Sequence, residues 1–96
     1  MFIISLTYTQ SLEAIDQHLE AHVAFLKEQY AKGLFIASGR KVPRSGGVIL
    51  AVSDSKEMIE QTITQDPFYI HALADYEITE FVPSMTSADF SAFANR

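Results

Sequence analysis

The chain has 96 residues, 48% of them hydrophobic and 20% charged, with a formal net charge of −5. That is the composition of one ordinary globular domain, and its acidity excludes broad nucleic-acid binding, which needs a basic face. With no cysteine, thiol catalysis, thiolate metal sites and disulfides are excluded, which fits a reducing compartment.

Met1-Phe2-Ile3-Ile4 has no basic leader and no small-residue cleavage site, so it does not read as a signal peptide. No apolar run approaches the roughly 20 residues that cross a bilayer. The expectation is a cytoplasmic domain without membrane or nucleic-acid partners. A domain this short buries a modest share of its surface, and dimerisation is a common remedy.

Phe2 to Tyr8 is rich in β-branched and aromatic residues and reads as a strand, apolar on both faces at its start. Thr9 or Ser11 supplies the cap of a helix from Leu12 to Lys32. Its apolar stripe is Leu12, Ile15, Leu19, Val23, Leu26 and Tyr30, with His22 on the stripe and His18 one turn earlier. Gly33 is placed as the left-handed residue that ends it. Leu34 to Ser38 is a second strand. A loop from Gly39 to Gly46 carries Arg40, Lys41 and Arg44, three of the seven basic residues. Val48 to Val52 is apolar throughout and therefore a central third strand.

Asp54 with Glu57 has capping-box spacing and opens a second helix, which ends near Gln65 because the residue before Pro67 disfavours helical dihedrals. Phe68, Tyr69 and Ile70 form an apolar knot. Tyr76 to Val82 alternates like a strand with one wet face, an edge strand that Pro83 stops. Thr86 to Asp89 announces a short terminal helix, with Phe90 and Phe93 fixing it to something apolar. The order is that of a ferredoxin-like α+β fold, βαββαβ with a short C-terminal helix, over 1–96 as one domain. The apolar second face of the central strands calls for a second copy of the chain, a homodimer.

This topology brings the turn after strand one, the Arg40 loop and the Asp66 segment to one end of the sheet. Asp66 stands between a helix end and Pro67-Phe68, and it is a candidate through-space partner for His22. A carboxylate that accepts an imidazole N–H fixes its tautomer and raises its basicity, leaving the other nitrogen as an acid or base near neutral pH. The alternative is a buried histidine satisfied by a carbonyl, with Asp66 merely capping its turn. Arg40 and Arg44 can bind a carboxylate, or belong to a solvated hairpin. Ser38, beside Gly39, can reach a ligand or bond locally. Tyr8, Tyr69 and Tyr76 line a pocket or fill the core. His18 and His22 have the i, i+4 spacing of two metal ligands, with Asp66 or His71 as a possible third. No His-Glu-x-x-His pattern is present, and a metal is not the expectation. Gly39, Gly46 and Gly47 precede no helix, so they form no phosphate cradle. No cofactor motif is evident.

His22-Val23-Ala24-Phe25-Leu26, Gly33 to Gly39, Asp66-Pro67-Phe68 and Tyr76-Glu77-Ile78 together resemble the YciI-like family, the YCII-related domain, over nearly the whole chain. The resemblance implies a ferredoxin-like fold pairing into a dimeric α+β barrel, and an enzyme whose His-Asp pair, here His22 and Asp66, lies in a cleft. The chain departs from the family pattern at Gly39-Arg40, where members often carry Gly-Pro. It departs again at His71-Ala72, near which many carry a glycine. The pocket rim is therefore its own.

The functional expectation is acid–base isomerisation or elimination on a small anionic organic molecule. His22 and Asp66 would carry the chemistry, and Ser38, Gly39, Arg40 and Arg44 would bind the substrate. The alternative is a non-catalytic dimeric module that binds a small ligand or has a structural role. Neither substrate nor reaction follows from the residues alone.

Overall fold

The computed structural model describes residues 1–96. Its strands are β1 (Phe2–Tyr8), β2 (Phe35–Arg40), β3 (Gly46–Ala51) and β4 (Ala74–Glu80). They form one antiparallel sheet in the order β2-β3-β1-β4, the ferredoxin-like arrangement. The helices are α1 (Leu12–Gln17), α2 (Leu19–Ala31), α3 (Lys56–Ile63) and the single turn α4 (Pro67–Ile70). A 3-10 turn, Ala88–Phe93, closes the chain. The two apolar runs, β1 and β3, are the central pair, and the charged β4 lies at an edge.

Alternation along β1 decides which side chains meet the helices. Phe2, Ile4 and Leu6 are buried, and Ala51, Ile49 and Gly47 lie opposite them on β3. This face packs with Ile15, Phe25, Ile59, Ile63 and Phe68 into one core of 13 buried residues. Ile3 and Ser5, opposite Leu50 and Val48, point to the other face and are only half-buried. Gly46 has a steric reason to be glycine: a Cβ there would stand 1.8 Å from the Leu6 carbonyl oxygen.

Several local expectations change. The first helix is broken at His18 (φ −112°, ψ 6°) into α1 and α2, and Ser11 is its cap, accepting from the Ala14 amide at 3.2 Å. Gly33 does take a positive φ, 74°. The buried side of α2 is His22, Phe25 and Gln29, whereas Leu12, Leu19 and Val23 stay partly exposed. The apolar residues of this segment exceed one stripe: one set enters the core, and Leu19, Val23 and Leu26 turn to a cavity.

Gly39 and Arg40 belong to β2, not to a loop. They pair with Val48 and Gly47, so the hairpin connection shrinks to 41–45. Ser55, rather than Asp54, caps α3, accepting from the Met58 amide at 3.2 Å. The Phe68 knot is helical, and only Phe68 in it is buried. At the C-terminus Phe90 remains 55% exposed and meets Phe93 rather than the core.

The shared end of the sheet is secured by two backbone bonds. The Tyr8 amide donates to Ser45 and the Thr9 amide to Leu73, each at 2.9 Å. No helix is long and apolar enough to cross a membrane.

Candidate active site

Pro67 sets the local geometry of the site. Its fixed φ suits the first residue of a helical turn, and it keeps Asp66 extended (φ −68°, ψ 128°). Asp66 is thereby the cap of α4, and its Oδ1 accepts from the Phe68 amide at 3.0 Å. The same Oδ1 lies 2.7 Å from His22 Nδ1 on α2. The Tyr76 hydroxyl of β4 donates to Oδ2 at 2.6 Å. The carboxylate is fully buried. Burial of such a group is costly unless its lone pairs are satisfied, and here three donors from three elements do so.

An ionised carboxylate only accepts hydrogen bonds, so His22 carries its proton on Nδ1 and keeps Nε2 as the free nitrogen. Phe68 restrains the ring from its face: the two planes are stacked at 4.0 Å and 4°. The Asp-Pro-Phe turn thus holds the imidazole twice, in its plane through Asp66 and across it through Phe68. Tyr8 meets Phe68 edge-on at 6.0 Å. Burial, and then the Asp66 charge, push the Tyr76 phenol well above its ordinary range. That shift favours the protonated phenol, the form that donates to Asp66.

His22 forms part of the wall of a cavity of about 460 Å³. Leu6, Leu19, Val23, Leu26, Ile49 and Phe68 give it an apolar body. Its other side carries Ser38, Gly39, Arg40 and Arg44, so the structure brings the sequence-expected residues around one space, apart from Asp66, which stands behind His22. Ser38 is hydrogen-bonded to the Tyr30 hydroxyl. Arg44 is committed: its Nη2 donates to Asp16 Oδ1 at 2.5 Å. That bond raises the guanidinium above its ordinary value, against partial desolvation and with support from the Asp16 charge and the Tyr8 phenol. Arg40 makes no ion pair.

The two-histidine metal spacing does not close on one point. His18 stacks on His71 at 4.0 Å, whereas His22 turns to Asp66. No group of three or more His, Asp or Glu side chains has metal-holding geometry.

Sequence reasoning placed Tyr76 only as a pocket or core aromatic, without its bond to Asp66, and did not single out Asp16. Tyr76 had a usable signal, because it alternates with Ile78 on the β4 face that lies opposite Leu6 and Ile4. Asp16 had none beyond its place near a helix start, since its partner Arg44 is 28 residues away.

The fold and site define a ferredoxin-like α+β domain with a carboxylate-held histidine in a cavity wall. The chain belongs to the YCII-related domain family, whose match spans residues 1–82. Among curated proteins no sequence match is found. Of solved structures, the chain is similar to 5-chloro-2-hydroxyhydroquinone dehydrochlorinase (TftG) from Burkholderia phenoliruptrix, determined in complex with 2,5-dihydroxybenzoquinone. The TM-score is 0.73 and the identity 18%, over 83% of this chain and 91% of that one. At that identity the likeness concerns the fold.

Proposed function

We propose that this protein is an enzyme that moves a proton on a small anionic organic molecule, with His22 as the acid–base group and Asp66 as its orienting carboxylate. The observation that carries the reading is the 2.7 Å contact from His22 Nδ1 to buried Asp66, with the ring at the wall of a cavity that also holds two guanidinium groups. His22 Nε2 takes a proton from an acidified carbon or hydroxyl of the substrate. In an isomerisation the proton returns at a different atom. In an elimination the leaving group departs with its electron pair, and His22 passes the proton to water.

Arg40 and Arg44 hold the anionic group, and Ser38 and the Gly39 backbone line its approach. The dehydrochlorinase that shares the fold makes hydroxylated, chlorinated rings a rational first substrate class to try. The same proposal includes a homodimer. Ile3, Val48 and Leu50 lie half-exposed on the sheet face away from the helices, where a second copy would cover them.

The test is chloride release from 5-chloro-2-hydroxyhydroquinone, together with solvent-deuterium incorporation into its unchlorinated analogue. Wild type is expected to turn over at least one probe, and His22→Gln to lose about 10²–10⁴-fold in rate. A His22→Gln protein as active as wild type would overturn the assignment. Light scattering at low micromolar concentration should give two copies, and a monomer there refutes the dimer.

A further inference from the structure

The cavity's charge is not that of two free arginines. Arg44 is already held by Asp16, whereas Arg40 is unpaired. Asp16 and Arg44 come from α1 and the 41–45 connection, and their pair ties these two segments together in the cavity wall. A single contact, Nη2 to Oδ1, joins them. A guanidinium has five N–H donors, so this contact leaves others for a ligand. Lys41 donates to Thr7 at 3.3 Å and is not part of the cavity wall.

The wall therefore carries two cations and one anion, a formal excess of one positive charge with His22 neutral. Asp66, behind His22, adds a fixed negative charge that opposes a second anionic group. The rest of the wall is largely apolar, with Leu19, Val23 and Leu26 from α2 facing Leu6 and Ile49 of the sheet.

We propose that Asp16 is a specificity-determining residue: it occupies Arg44 in place of a second ligand carboxylate and restricts the cavity to monoanions with an apolar body. Arg40 is then the primary anchor. Arg44 contributes only what it can give without leaving Asp16. A dianion would have to displace Asp16 or sit beside its carboxylate, and like charges at that range repel. This inference deepens the proposed function and rests on the cavity being an organic-anion site.

Two probes with one ring and different charge separate the outcomes. Benzoate carries one carboxylate, and phthalate carries two adjacent carboxylates. Each is titrated into the full chain while the ring resonances of His22 are followed by NMR. Wild type should bind benzoate more tightly than phthalate. Asp16→Asn should shift that preference toward phthalate by about tenfold, the effect of roughly 1.4 kcal/mol.

Asp16 is 54% exposed at its side chain, so the substitution leaves the core alone. Glu20→Gln removes an equal charge from the next turn, outside this cavity, and should leave the preference unchanged. A phthalate-to-benzoate ratio that is the same in wild type and Asp16→Asn overturns the role of Asp16 and leaves the site reading intact. An equal shift in Glu20→Gln also overturns it, because net charge and not position would then set selectivity. If neither probe moves the His22 resonances of wild type, the organic-anion reading itself fails.

Discussion

The Asp66–His22 network and the Arg44–Asp16 pair are built on opposite principles. Asp66 is fully buried and meets three donors, and His22 is held in its plane and across it. Arg44 and Asp16 share one contact with side chains 32% and 54% exposed. A buried charge network leaves no low-energy alternative, so its geometry is over-determined. An exposed pair is screened and exchangeable, contributing little to stability. The proposed proton transfer would use the fixed base, and the proposed charge selection would rest on the Asp16 carboxylate that occupies Arg44.

Mutations can break the contrast, beginning with the buried network. Phe68→Ala removes a buried ring that serves both the core and the His22 stack. It should cost about 3–5 kcal/mol in denaturant unfolding. A loss below 1 kcal/mol would show that the turn is not anchored by Phe68.

Asp66→Asn preserves shape but replaces one acceptor oxygen by a donor. It should lower turnover by about 10²-fold or more and remove the Nδ1–H tautomer preference. Long-range 15N spectra of the His22 ring read the tautomer directly. An unchanged tautomer would remove the orienting role of Asp66.

Tyr76→Phe deletes one of the three donors and should cost about 1–3 kcal/mol, because the lost bond is to a charged group. Its pH signature has a definite sign. A phenol raised in the folded state keeps its proton after the unfolded chain has lost its own. The stability it contributes is complete below about pH 10 and falls as pH rises beyond that. The alkaline decline in unfolding free energy should therefore be shallower in Tyr76→Phe, and an unaltered slope contradicts the burial of this phenol.

The smallest stability effect belongs to the exposed arginine of the cavity wall. Arg40→Ala should stay within about 0.5 kcal/mol of wild type, yet weaken benzoate binding and flatten its salt dependence. Full retention of that salt dependence would locate the anchoring charge elsewhere.

The two regions also differed in how far sequence reasoning reached them. Pro67 after a helical run, with Asp66 before it and Phe68 after, marks a capped turn by local chemistry alone. The four-strand order followed from apolar periods and glycine punctuation, and the sheet confirms it. These are effects of neighbouring residues, and they are written in neighbouring letters. The kink at His18 and the shift of Gly39 and Arg40 into β2 were not visible. Each depends on packing or on a ladder partner in another segment.

By itself the sequence determined the α+β class and the apolar central strands, and the family resemblance singled out His22 and Asp66 as the candidate pair. Only the tertiary structure decided that His22 stands 2.7 Å from Asp66, that Tyr76 completes the carboxylate's shell and that Asp16 already holds Arg44. Those contacts join residues 44, 10 and 28 positions apart. Local propensity carries no information about such distances. They are set where the sheet register and the helix packing bring separate elements together in three dimensions.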